Sequence, residues 1–287
     1  MNNGYRASFK QTWQNMSLRF KIGLAIVLLF LIMGFFVYLF SPGKVMTLSA
    51  YKKNQSPSLE HFLGTNKQGQ DIFWLLIESV HNSMVLGFIV AGASTAIGVF
   101  IGLLSGFIGG ITDRLIMFLC DAILVIPSLP ILILMGALLK GRASIMSIAG
   151  ILIIFNWVWP ARQVRSMALT MREREFINTA KFAGENTVKI ICVEIVPHIL
   201  SWAFANFVNT ILVAIGSESS LAVLGLSSTT TPTLGNMIFW ARQYQAILLK
   251  QWIWIGSPIF AVVVLFIGLF LTYTGYNEYT AKKRGRL

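Results

Sequence analysis

Residues 22–40 form an unbroken apolar run of 19 residues. A helix rises about 1.5 Å per residue, so this run can cross a hydrocarbon core about 30 Å thick. Lipid offers no partners to a backbone N–H or C=O, so a segment of this kind must pair its own backbone groups and form a helix. Five more apolar stretches lie further along, at about residues 83–106, 115–139, 145–161, 199–215 and 258–274. The chain is 55% hydrophobic and 12% charged, where soluble domains carry about 25% charged residues. The expected fold is all-α: a polytopic membrane protein with six transmembrane helices. The first run is too long for a signal peptide and no small-residue cleavage site comes after it, so no cleavage is expected.

Net charge is +12, which raises the question of nucleic acid. The basic residues do not cluster on a soluble domain, so no nucleic-acid partner is expected. Their distribution fits the rule that cytoplasmic loops are enriched in Lys and Arg. Residues 1–21 carry Arg6, Lys10, Arg19 and Lys21 and no acid, and the tail, residues 276–287, carries Lys282, Lys283, Arg284 and Arg286. With both ends inside, 15 basic residues fall on the inner side and 8 on the outer. The expected order is a cytoplasmic segment 1–21, a first helix 22–40, an extracytoplasmic loop 41–80, a core 81–275 with five helices, and a cytoplasmic tail 276–287. Lys140 and Arg142 make a tight outer turn, and Trp157 and Trp159 read as interface anchors at the inner end of the fourth span.

Within the core, residues 162–197 form a charged inner loop. Its middle has helical spacing, with Phe176, Ala180 and Ala183 near one face and Asn178, Lys181 and Glu185 turned away. Gly184 interrupts this helix and Pro197 starts the next segment. A helical insert with a small-residue seam suits docking onto another protein. Periodicity equally allows an ordinary loop that caps two spans.

Few polar residues lie inside the spans. Asp121 sits in the third, about two turns from its inner end. An ionisable residue there is a functional candidate for a translocation path, or else a paired structural acid. Asn206, Asn209 and Thr210 in the fifth span bond neighbouring helices or face a wet cavity. Pro127 and Pro130 are expected to kink the third span. Gly87, Gly92, Gly98, Gly102 and Gly106 in the second let neighbouring helices approach closely. Cys120 and Cys192 have no metal spacing and read as small apolar fillers.

Several motifs along the chain carry a resemblance. Residues 178–180, Asn-Thr-Ala, together with Gly184 and Val196-Pro197, resemble the EAA loop of ABC-importer permeases. Thr179, Lys181 and Glu194 depart from its usual residues. Leu63, Gly64, Thr65, Gly69 and Asp71 resemble the LGTDxxGRD segment of the C-type permeases of dipeptide, oligopeptide and nickel importers, with Asn66 and Gln70 in place of aspartate and arginine. Gly109, Gly110, Asp113, Met117, Asp121 and Pro127 are similar to a further element of that subfamily, as are Glu218, Leu221, Leu224, Gly225, Leu226, Pro232, Gly235 and Met237.

The resemblance covers residues 60–275 and implies the type I importer permease fold in a prokaryotic cell membrane. It implies that Glu175, Phe176, Ala180, Lys181, Gly184, Glu185 and Pro197 belong to a coupling helix seated in a groove of an ATPase. It implies as partners a second homologous permease, two ATPase subunits, an extracytoplasmic solute-binding protein and the lipid bilayer. ATP and Mg would then be held by the ATPases. This chain carries no G-x-x-x-x-G-K-[ST] loop, and its histidines, His61, His81 and His198, are scattered, so it is not read as an enzyme and holds no cofactor or metal. The expected activity is alternating access for short peptides or oligosaccharides. The other class is a secondary transporter or channel using Asp121, Asn206 and Asn209. Such proteins often carry an internal repeat, and none is visible.

Overall fold

A computed structural model describes residues 13–14, 16–43, 45–139, 144–228 and 231–284. Among these the chain is helical, with one isolated bridge between Thr65 and Asp71. Arg6, Lys10, Lys140, Arg142 and Arg286, used above to orient the chain, lie outside the described residues.

The first span is α1 (Leu18–Leu31), continued by a π-helical turn (Ile32–Phe36) and a 3₁₀ turn (Val37–Phe40). The Ser17 hydroxyl caps it, accepting from the Phe20 N–H. In the π turn, Gly34 O lies 2.7 Å from His81 Nδ1 on the next helix.

That next helix, α2 (Ile72–Ile108), is far longer than its apolar run. It begins inside the segment expected to be loop up to residue 80. The cause is Asp71, whose Oδ1 accepts from the N–H groups of Phe73 and Trp74 and so starts the ladder early. The same lengthening recurs. A helical ladder stops at a cap or a proline, not where the sequence turns polar. The fourth span runs as α5 (Ile145–Asn156) and α6 (Val158–Arg172). The Trp157/Trp159 pair therefore sits at the middle of this rod, not at its end as expected. The fifth span is α8 (Val196–Val223), led by a helical turn (Thr187–Lys189) and a π stretch (Ile190–Ile195). The sixth is α10 (Trp252–Arg284). The expected third span is two helices, α3 (Gly110–Val125) and α4 (Ser128–Leu139), bent by 75°. The break falls at Ile126 and Pro127, as the prolines predict.

Five helices are long and apolar enough to cross a membrane, or six if the bent pair counts as one crossing. Packing decides between these numbers. A Cβ on Gly275 would stand 2.5 Å from Phe20 N, and one on Gly23 would stand 2.5 Å from Thr272 N. Falling numbers in α10 thus meet rising numbers in α1, so the two helices are antiparallel. Arg19 and Glu278 close the contact at 2.6 Å. The start of the first span and the end of the last therefore lie on one side, which requires an even number of crossings.

The glycines of α2 give a second check. Cβ atoms on Gly98, Gly102 and Gly106 would collide with Pro160, Ala161 and Ala168 in turn. Rising numbers meet rising numbers, so α2 and α6 are parallel. The chain must return across the membrane between them, and only α3–α4 is there to do it.

Outside the spans, residues 45–71 fold into a tight loop. Gly64 and Gly69 adopt φ of +76° and +74°. A Cβ at either would collide with a backbone carbonyl, that of Gln55 for Gly64 and that of Tyr51 for Gly69, so glycine is required at both. His61 Nδ1 and Asp71 Oδ2 pair at 2.6 Å, both buried. This loop rests on α9 (Leu234–Gln243) and on the largest core cluster, which includes Val80, Met84, Ile211, Ile215, Leu234, Trp254 and Leu265. Glu218, near the C-terminal end of α8, ties the segment before α9 in place. Its Oε1 accepts from the Ser227 and Thr233 hydroxyls, each at 2.7 Å.

Candidate functional site

The charged loop expected to dock a partner folds as a helical hairpin. Its helix α7 spans Glu175–Phe182. Ile177 is fully buried and Ala180 packs beside it, the i, i+3 pair of one face. They meet Leu103 of α2, Val164 and Ala168 of α6, and Ile190, Ile195 and Ile199 at the head of α8. Phe176 and Ala183, which share a face with Ala180 by spacing, are exposed. The anchoring helices lie on the Ile177 side, and periodicity cannot say which side that is.

The end of α7 is a Schellman motif. Gly184 N–H donates to Lys181 O at 3.0 Å and Glu185 N–H to Ala180 O at 3.1 Å. Gly184 has φ +77°, and nothing lies within 4 Å of where its Cβ would stand. It is therefore needed for the turn and faces open space. Lys189 and Glu185 pair at 2.7 Å. Lys181 stands over the Phe107 ring at 5.8 Å, and Arg172 Nη1 donates to Phe107 O at 3.2 Å. The hairpin is thus stitched to the end of α2.

What it offers outward is apolar at its tip. Phe182 is 92% exposed, and Val188 and Val193 are also exposed. Glu175 is exposed in the first turn. Phe176 stacks on His198, with ring centroids 5.8 Å apart. A cleft of about 880 Å³ opens between α6 and α7, lined by Thr170, Met171, Arg174, Glu175, Phe176 and His198. Sequence reading missed Phe182, although a large apolar residue two positions before a helix-ending glycine was available as a signal. Pro197 sits at the second residue of α8, directly after the π stretch. It cannot donate to Val193 O, and the widened turn before it absorbs that gap.

The expected path residues make separate contacts. Asp121 pairs with Arg162 at 2.6 Å, with both side chains largely exposed. Asn206 is buried and donates to Thr95 Oγ1 at 3.0 Å. Asn209 is half-buried one turn away. Deeper anchoring comes from Asp113, which receives two bonds from Arg165 at 2.5 and 2.6 Å and a third from the Ser105 hydroxyl. Cys120 is buried as a filler should be, but Cys192 is exposed in the π stretch.

A cavity of about 340 Å³ opens at the α3–α4 break. It is lined by Ile123, Ile126, Pro127, Ser128, Asn156 and Ser217 among others. Asp121, Asn206 and Asn209 are not among its lining residues.

Residues 98–285 match the family model described as "Binding-protein-dependent transport system inner membrane component". The Mycobacterium bovis oligopeptide transport system permease protein OppC is 36% identical over 171 residues, 60% of this chain and 59% of that protein. The Bacillus subtilis OppC is 32% identical over 221 residues, 75% of this chain and 72% of that protein. The dipeptide transport system permease protein DppC of Alkalihalophilus pseudofirmus is 28% identical over 275 residues, 96% of this chain and 88% of that protein. With a family match across well over half its length, the chain belongs to the inner-membrane components of binding-protein-dependent transport systems.

Proposed function

We propose that this chain is a permease subunit of an ATP-driven importer in a prokaryotic plasma membrane. It moves solute by alternating access and hydrolyses nothing itself. Its partners are a second permease, two ATPase subunits that hold ATP and Mg, and an extracytoplasmic solute-binding protein that delivers cargo. Residues 1–21, 162–197 and 276–287 face the cytoplasm. The relatives' names weigh toward short peptides as cargo, with oligosaccharides as the second candidate.

The observation that carries this reading is the coupling hairpin. Its inner face, Ile177 and Ala180, is bolted to α2, α6 and α8, so a push on it is passed to three helices. Its outer face ends in the exposed Phe182 beside Gly184. ATP binding draws the ATPases together, and the hairpins seated on them carry the spans between two packings. Only ligands that favour one packing over the other can drive this, and ATP and the loaded binding protein supply that difference. The residues a secondary transporter would use are spent on internal bonds, Asp121 on Arg162 and Asn206 on Thr95.

Gly184→Trp tests the docking role. The side chain enters open space but must accept a left-handed φ, which costs about 1 to 2 kcal/mol. Membrane insertion is expected to be normal, with transport and substrate-stimulated ATP hydrolysis both lost. Normal transport with normal stimulation in that variant would falsify the coupling assignment.

A further inference from the structure

The cavity at the α3–α4 break has a feature that the coupling mechanism does not use. A proline at position i leaves the carbonyl of residue i−4 without its helical donor. Pro160 acts in this way on Asn156, which ends α5, and Pro127 stands in the break between α3 and α4. Ile123 O recovers a bond from the Ile126 N–H at 3.2 Å, while Ile126 itself has left the helix, with ψ 119°. Two prolines from two spans thus border one site, lined by Ile126, Pro127, Ser128, Asn156 and Ser217, and the Asn156 Nδ2 donates to Leu152 O at 2.7 Å.

The depth of the cavity matters. Ile145–Arg172 forms one span of 28 residues, and Asn156 lies at the end of its first helix, 12 residues from the start. At about 1.5 Å per residue this is about 18 Å, past the middle of a core about 30 Å thick. The break is not covered by the rest of the chain, since Val125 is 81% exposed and Pro127 and Ser128 are exposed. Backbone released from a helix is not tolerated against lipid at such depth. It persists where it lines water or protein.

We infer that this cavity is a mid-membrane station of the transport path, where Ser128, Asn156 and Ser217 meet the uncharged backbone of the cargo. The inference rests on the importer reading and adds the residues that meet the cargo. Carbonyls at Ile126 and Asn156 accept from amide N–H groups. Ser128 and Ser217 both donate and accept, and the Asn156 side-chain oxygen accepts. No charged side chain and no histidine is among the lining residues, so a nickel ion finds no soft or anionic ligand. The volume lies at the low end of the range for small-molecule sites, roughly 300 to 1,000 Å³, which fits a short stretch of chain threaded through rather than a whole oligomer held at once.

The test uses the complete transporter in membrane vesicles, with Cys120→Ala and Cys192→Ser as background. Ser128→Cys and Ser217→Cys are exposed to a membrane-impermeant thiol reagent in nucleotide-free and vanadate-trapped states. Val263→Cys on the lipid-facing side of α10 and Ser56→Cys in the outer loop are the controls. A thiol in lipid has its pKa raised by a unit or more, so both cavity positions are expected to react at least about tenfold faster than Val263→Cys. Saturating trialanine with the binding protein is expected to slow them, and nickel ion to leave them unchanged. No reaction at either position in any state, with Ser56→Cys reacting, overturns the wet station. Reaction that trialanine leaves unchanged, or that nickel blocks, overturns the contact with the cargo backbone. ATP hydrolysis is measured in parallel: its failure to respond to any cargo while labelling persists would fail the importer reading and leave the cavity standing.

Discussion

At the scale of single residues, two departures from family motifs turn out to partner each other. Asn66 and Gln70 stand where aspartate and arginine are usual. Here Asn66 Nδ2 donates to Gln70 Oε1 at 2.9 Å, both buried. An amide pair has taken the place that an ion pair would fill, and it avoids the cost of burying two charges. Asn66 Oδ1 still accepts from the N–H groups of Gln68 and Gln70, so the turn survives the change. Phe182 is the opposite case, an apolar ring with no internal work. Phe182→Ala is expected to leave the thermal midpoint unchanged. It should weaken ATPase association by about 2 kcal/mol, roughly thirtyfold, as for a central aromatic anchor. Titration of the permease with its purified ATPase measures this, and equal affinity for both forms would remove Phe182 from the interface.

At the scale of elements, glycine spacing and proline placement explain most of the architecture. Gly98, Gly102 and Gly106 recur every four residues and form one ridge of α2. That ridge lies against α6 so closely that a Cβ on Gly102 would stand 2.5 Å from Ala161 O and 2.8 Å from Val164 Cβ. Dispersion and backbone proximity hold such helices together in lipid, where no hydrophobic drive exists between them. Gly102→Leu is therefore expected to abolish the monodisperse folded species in detergent. Gly92→Leu should be tolerated, because the nearest atom to its Cβ is Phe207 at 4.0 Å. Size-exclusion profiles of the two variants give the comparison, and equal profiles would mean that the seam does not hold the fold. The break between α3 and α4 was legible from Pro127. Its location beside Asn156 and Ser217 was not, since three separate spans meet there.

At the scale of the molecule, packing fixes what hydropathy left open. The antiparallel contact of α1 with α10 and the parallel contact of α2 with α6 both demand that the bent pair cross the membrane. Gln14→Cys and Ala281→Cys are accordingly expected to react with an impermeant thiol reagent from the same side, and Ser56→Cys from the other. Labelling of Gln14→Cys and Ala281→Cys from opposite sides would leave only five crossings. Sequence was enough for the all-helical membrane class, the number of apolar runs, the kink at Pro127 and the helix stop at Gly184. Those have local causes: length against bilayer thickness, a missing N–H, or a φ that only glycine adopts without strain. It took packing between helices to set Ile177 inward, to match Asp121 with Arg162, and to bring Ser128, Asn156 and Ser217 around one cavity. Each of these joins residues on different helices, and a periodic pattern describes only one helix at a time.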